Sequence, residues 1–247
     1  MSRRARIIGG SGYMHIYARG INKQDIFLKQ SDYSYFLKVL SGLSCEMGFD
    51  IVAYCLMPNH FHLIIYDKDR RFSKIIKRLS ISYAMHFNAV YERVGPLFQG
   101  RFGSKSIEDI DYLMTVVRYV HFNPEKAGIC KMDGYKWSSY KEYLNGSDIC
   151  STGTILQLFG GVNEFREYHM VKDNDAHKEL EGMEISDEEA VTIVCNVIND
   201  SNPEALQNYS NKKRDMYIKE IRECGISTKQ LSRITGLSIY VIRHVPK

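Results

Sequence analysis

The amino-acid sequence predicts an α+β fold: a ferredoxin-like antiparallel sheet with helices on one face, joined to a C-terminal all-α unit holding a helix-turn-helix. Three observations carry this. Apolar patterns of period two and period 3.6 alternate over residues 1–145 in the order β-α-β-β-α-(β)-α. Residues 146–185 are acidic and poor in strand formers. From residue 186 onward only helical periodicity remains. The expected organisation is therefore a folded domain over 1–145, an acidic linker over 146–185, and a helical domain over 186–247.

Each element has a local reason. Tyr13–Arg19 alternates and ends at Gly20 and Asn22, a strand followed by a turn. Ser31 is placed to cap a helix over Asp32–Met47, with Tyr35, Phe36, Val39, Leu40 and Leu43 on one stripe. Phe49–Leu56 and His60–Tyr66 are strands joined through Met57, Pro58 and Asn59, a hairpin. Phe72–Tyr91 is a long amphipathic helix carrying Lys74, Lys77 and Arg78, and Gly95–Gly103 is a loop with some strand character. Ser106 and Asp109 have capping-box spacing for a helix that Pro124 is expected to stop near Phe122. In the tail, Ser186 and Glu189 form a second capping box, and helices are expected at 187–199, 212–224, 228–235 and 238–245. The last two flank Gly236 at helix-turn-helix spacing, which an ordinary helical hairpin shares.

Composition narrows the function. Hydrophobic content of 44% and charged content of 25% are globular values. No apolar run is long enough to span a bilayer, and the N-terminus lacks a signal core, so a cytoplasmic protein is expected. The six cysteines include no CxxC pair, which argues against a zinc ribbon or a disulfide framework and fits reduced thiols. The net charge of +4 hides a strong segregation. Residues 1–145 hold 21 Lys+Arg against 13 Asp+Glu, residues 146–210 hold 3 against 13, and residues 211–247 hold 9 against 3. Two basic blocks around an acidic one point to nucleic acid, with plain solvated surfaces as the alternative.

Two constellations carry chemistry. His60 and His62 flank Phe61 in a strand, so both imidazoles share one face. That is half of a divalent-metal site, or else a pair of exposed or hydrogen-bonded histidines. Tyr119 and Asn123 are four residues apart on one helix side, off the centre of the stripe Ile110, Leu113, Val117 and Val120. A tyrosine hydroxyl attacks phosphorus when a Lewis acid activates the phosphate, and packing is the ordinary alternative role.

MPNHFHLII at 57–65, GPLFQGRF at 95–102, RYVHFNPEKAG at 118–128 and WSSYKEY at 137–143 follow YMHIYARG at 13–20 in order. Together they strongly resemble the single-tyrosine HUH transposases, and most of all the REP-associated branch of the insertion-sequence enzymes, over about residues 5–145. The resemblance implies the HUH nuclease fold, with His60, His62 and Asn123 binding a divalent metal, Mg2+ or Mn2+, and Tyr119 as nucleophile. It also implies cleavage and rejoining of single-stranded, hairpin-flanked DNA through a 5′-phosphotyrosine, by a monomer or a homodimer. Two departures stand out. Many relatives read NPVRAG where this chain has Glu125 and Lys126 in the third and fourth places, and the chain runs about 100 residues past compact relatives.

Further expectations attach to the basic blocks. Arg101, Lys105 and Arg118 flank the loop and helix carrying Tyr119 and are expected on the DNA surface. In the tail, Ser238, Tyr240 and Arg243 are the expected polar contacts of a second helix reading duplex DNA. The tail reads duplex DNA or folds back to inhibit, and truncation after about residue 150 is expected to spare hairpin cleavage. The alternative to a strand transferase is a non-catalytic helix-turn-helix regulator on the same fold.

Overall fold

The computed structural model describes residues 9–170, 187–224, 226 and 228–245. The chain divides into two compact units, residues 1–173 and 174–247. The first is built from β1 (Tyr13–Arg19), α1 (Gln30–Met47), β2 (Asp50–Met57), β3 (His60–Tyr66), α2 (Phe72–Val90), β4 (Gly103–Ile107) and α3 (Ile110–Lys126). The sheet order is β2-β3-β1-β4, with every neighbouring pair antiparallel, as expected of a ferredoxin-like sheet.

Strand alternation divides the sheet's side chains. Met14, Ile16, Phe61, Leu63 and Ile65 share a core with Phe36 and Leu40 of α1 and Ile75, Ile76, Leu79 and Tyr83 of α2. That is the expected layer of helices on one face. The opposite face presents His15, Tyr17, His60, His62 and Ile64, because successive residues of a strand point to opposite sides. Helix α3 is laid across this second face, against β2, β3 and β4. Of its expected apolar stripe, Leu113, Val117 and Val120 are buried together with Val116, whereas Ile110 at the first turn is exposed.

Several local readings are corrected. Helix α1 starts two residues early, with Lys29 as its cap. Ser31 lies inside the helix and does not cap it; instead the Asp32 carboxylate accepts from the Leu28 and Lys29 amides at 2.8 Å, pinning the chain that leads into the first turn. Ser106 lies in β4, pairing with Met14, and the cap of α3 is Asp109, which accepts from the Tyr112 amide at 2.9 Å. Helix α3 also runs through Pro124 to Lys126. Proline removes the donor that would reach the Val120 carbonyl. The Asn123 side-chain amide donates to the Tyr119 carbonyl at 2.8 Å and to the Val120 carbonyl at 3.4 Å, which replaces that bond.

Beyond α3 come α4 (Tyr140–Asn145), α5 (Gly153–Phe159) and α6 (Val162–Met170). Residues 153–170 were expected within an acidic linker, but they are helical and belong to the first unit. The reason is an aromatic cluster: the Phe165 ring stacks on Tyr143 at 4.6 Å, and His169 Nε2 meets His121 Nδ1 of α3 at 3.1 Å. His121 Nε2 in turn lies 2.8 Å from Ser139 Oγ, which accepts from the Tyr54 amide of β2 at 2.9 Å.

The second unit contains α7 (Asp187–Ile198), a 3-10 turn (Pro203–Asn208), α8 (Asn211–Glu223), α9 (Thr228–Thr235) and α10 (Ile239–Arg243). Its core holds Val194, Ile198, Leu206, Ile218, Ile221, Leu231, Leu237 and Ile242. Gly236 links α9 to α10 at φ 71°, a left-handed turn where a Cβ would meet the Gln207 side chain at 2.5 Å. The expected capping box of Ser186 and Glu189 rests on Ser186, outside the described residues. Among the described residues no helix is long and apolar enough to cross a membrane.

Candidate active site

The hairpin between β2 and β3 places the two histidines. Its tip is anchored because the Pro58 carbonyl accepts from the Ile26 and Phe27 amides at 2.8 and 3.0 Å, and the Asn59 carbonyl accepts from Gly20 at 2.8 Å. His60 and His62 then project from the same face of β3, their rings perpendicular with centroids 5.1 Å apart. His60 Nδ1 lies 2.6 Å from Asn59 Oδ1. As that oxygen can only accept, Nδ1 carries the proton and Nε2 is left as the basic nitrogen.

His62 is 1% exposed. Its Nδ1 meets His15 Nε2 at 3.1 Å, and its Nε2 has no hydrogen-bond partner among the described residues. A buried nitrogen without a partner is costly unless something binds it. His15 was not singled out in the sequence. It comes to His62 because β1 pairs with β3 in the register Tyr17↔His62, which puts position 15 one step along the same face. A proton on His62 Nδ1, donated to His15, leaves Nε2 as a ligand atom, the usual outer contact of a metal-bound imidazole.

Helix α3 brings the tyrosine to this pair. Tyr119 is 5% exposed, its ring edge-on to His62 at 5.5 Å and to His15 at 5.9 Å between centroids. Asn123, one turn on, is also buried. Its amide nitrogen is turned to the helix backbone, which directs the side-chain oxygen away from the helix. Burial depresses the histidines: His15 is pushed down to about 3 and His60 to about 4, the latter also by Arg19. His62 is held well below the ordinary imidazole range by burial and then by the charges of His60, His15 and Lys126. All three rings are therefore neutral at pH 7, the form that binds cations. Lys126, another residue not picked out from sequence, lies seven positions after Tyr119 and brings a positive charge to this side of α3.

The other expected site residues fall into different places. Lys105 is exposed on β4 directly opposite His15, its Nζ 4.8 Å from the Tyr112 ring centre. Arg101 is exposed on the preceding loop. Arg118 is corrected: it is only 6% exposed, packed 5.4 Å from the Tyr168 ring centre of α6, and holds the helix rather than a DNA surface. Glu125 is exposed, and its carboxylate accepts from the Met132 amide at 3.3 Å. In the second unit Ser238 caps α10 by accepting from the Val241 amide at 3.3 Å, Tyr240 is 70% exposed, and Arg243 is exposed.

Among the described residues no group of three or more His, Cys, Asp or Glu is arranged for a cation. The candidate donor set is two imidazoles and an amide, and the unpartnered, buried Nε2 of His62 fits it to a divalent ion with positions left for phosphate oxygens.

Comparison with known proteins bears on the fold of the first unit. No curated protein matches the chain. A solved REP-associated tyrosine transposase bound to a REP hairpin is similar in fold, with a TM-score of 0.50 and 20% identity over 58% of this chain and 86% of that one. A putative transposase of Deinococcus radiodurans R1 is similar at a TM-score of 0.35 and 11% identity, over 53% of this chain and 99% of that one. Residues 10–123 match the family model of the IS200-like transposases, a span that contains β1, the two histidines of β3, Tyr119 and Asn123. That match lies within the first compact unit, so the similarity to the IS200-like transposases belongs to that unit.

Proposed function

We propose that the first unit is a DNA strand transferase that cleaves and rejoins single-stranded, hairpin-flanked DNA through Tyr119. The observation that carries the reading is the Tyr119 ring set edge-on, 5.5 Å between centroids, against His62, whose Nε2 is buried and without a hydrogen-bond partner among the described residues. His60, His62 and Asn123 would hold Mg2+ or Mn2+. When bound, such an ion withdraws charge from the scissile phosphate and makes phosphorus electrophilic.

The chain's own groups do the rest. Tyr119 Oη forms the new bond to phosphorus, the bond from phosphorus to the 3′ oxygen breaks, and the phenolic proton ends on the departing 3′-OH. The product is a 5′-phosphotyrosine, which keeps the phosphodiester's energy so that another 3′-OH can reverse the step without a nucleotide cofactor. Lys126 and Lys105 supply positive charge near the strand, and His15 keeps His62 in the ligating tautomer. Packing of α3 against α6 fixes the tyrosine relative to the histidines.

We assign the second unit to duplex DNA, with Tyr240 and Arg243 of α10 as contacts. The test of the main reading is a denaturing gel of wild-type protein with hairpin oligonucleotides from DNA flanking its gene, in Mg2+ or Mn2+. A denaturant-resistant adduct that Tyr119→Phe abolishes is expected. No adduct across the panel would leave the non-catalytic regulator as the better reading.

A further inference from the structure

Away from Tyr119, on the α2 side of the sheet, lies a cavity of about 310 Å³ lined by Ser73, Lys77 and Ser80 of α2, Phe98 and Phe102 of the loop before β4, and Arg101. We propose that this cavity seats one unpaired nucleotide of the DNA strand, its base against Phe98 and Phe102 and its phosphate between Lys77 and Arg101. The inference rests on the DNA strand-transfer reading and extends it to a second contact point.

Four features favour that occupant. The volume suits a small ligand the size of one nucleotide and excludes a duplex. The lining has the two chemistries that single-stranded nucleic acid needs, aromatic faces for a base and cations for the backbone. Lys77 and Arg101 are exposed, and neither forms an ion pair among the described residues, whereas neighbouring Arg78 is held by Glu46 at 2.6 and 2.8 Å. The floor is fixed in advance, because the Phe98 ring rests edge-on against Phe61 of the core at 6.0 Å.

The place in the fold links the cavity to the reacting site. The loop is tied to the end of β1: the Gln99 amide donates to the Arg19 carbonyl at 2.8 Å, and Arg19 Nε donates to Gln99 Oε1 at 2.7 Å. Arg19 pairs in register with His60. The loop runs directly into β4, the edge strand, where Lys105 lies opposite His15 on the Tyr119 side. A strand reaching from Tyr119 around this edge meets Lys105, then Arg101, then the cavity.

The experiment uses the full chain carrying Tyr119→Phe, so that binding is read without chemistry. Hairpin oligonucleotides with single-stranded flanks carry one photoreactive thymine analogue at successive flank positions, and crosslinked peptides are mapped by mass spectrometry. One flank position is expected to crosslink to the peptide containing Phe98 and Phe102. An abasic site there is expected to weaken binding about tenfold to a hundredfold. Ser80→Trp, which fills the cavity, should cause a similar loss that the abasic site does not deepen. If Ser80→Trp lowers the melting temperature, Lys77→Ala replaces it, with a shallower salt dependence as the readout. Crosslinks that avoid residues 98–102, or wild-type affinity with the cavity filled, would overturn the proposal. So would competition by free thymidine monophosphate, which would make the cavity a mononucleotide site. The wild-type adduct gel is read separately: an adduct with a flat abasic scan sinks the cavity alone, and a mapped crosslink without an adduct sinks the Tyr119 chemistry alone.

Discussion

Replacing His15 by alanine tests whether the β1 histidine positions the metal site. The change removes the partner 3.1 Å from His62 Nδ1 and the ring stacked on it at 5.3 Å between centroids. His62 is buried, so its Nδ1 is left without a partner in a dry place, at about 1–3 kcal/mol of stability. Loss of the outer hydrogen bond to a ligating imidazole typically lowers metal affinity about 10–100-fold, which is about 1.4–2.7 kcal/mol. The assay is adduct yield against Mn2+ concentration, with calorimetric Mn2+ titration of the DNA-free protein alongside. His15→Ala is expected to move both midpoints up by that factor while the saturating yield stays near wild type. His15→Gln, whose side-chain oxygen accepts a hydrogen bond, is expected to recover most of the loss. An unchanged Mn2+ midpoint in a folded His15→Ala protein would refute the argument that His15 sets the tautomer of His62.

Truncation tests the boundary: a chain ending after residue 173 is expected to fold and form the adduct, whereas one ending after residue 150 loses the buried Ile155, Phe159 and Phe165, each about 1.5–3 kcal/mol, enough to unfold the unit. Circular dichroism melts decide it, and a stable 1–150 fragment would show that α5 and α6 are dispensable. Acid tests the buried imidazoles. His15 and His169 are held by burial at about 3 when folded, below the unfolded value near 6.5, so the unfolded chain binds more protons and stability falls as pH drops from about 6.5 toward 3. At pH 5 each contributes about 2 kcal/mol of loss, read as a falling melting temperature; a flat profile from pH 7.5 to 5 would contradict neutral burial. In the second unit, the pair Tyr240→Ala and Arg243→Ala is expected to weaken duplex binding and flatten its salt slope by about 0.9 while sparing the hairpin adduct, measured by anisotropy and gel. Unchanged duplex affinity would remove α10 from the DNA surface.

Much of this was legible in the sequence because it is local. Alternation set the bounds of β1 and β3 as the structure has them, and the same period of two put His60 and His62 on one face. Helical spacing put Tyr119 and Asn123 side by side, and clustered motifs in a fixed order pointed to the family whose model matches residues 10–123. Arg118 was misplaced because its charge favours the surface on average, yet Tyr168, fifty residues on, offers a ring that covers its guanidinium. The start of α3 was misplaced because Ser106 and Asp109 satisfy the capping pattern while β1 offers Ser106 a strand partner.

What the sequence by itself determined, then, is most of the elements, though not α4, α5 and α6, and which side chains share a face of each, since strand and helix periods act between residues a few positions apart. Only the tertiary structure decided that His15 meets His62, that α3 lies on the histidine face, and that residues 153–170 pack behind it. Those outcomes depend on strand register and helix docking. They are chosen by packing free energy summed over many distant residues, so that shifting one register by a single position would send every side chain of β1 to the other face.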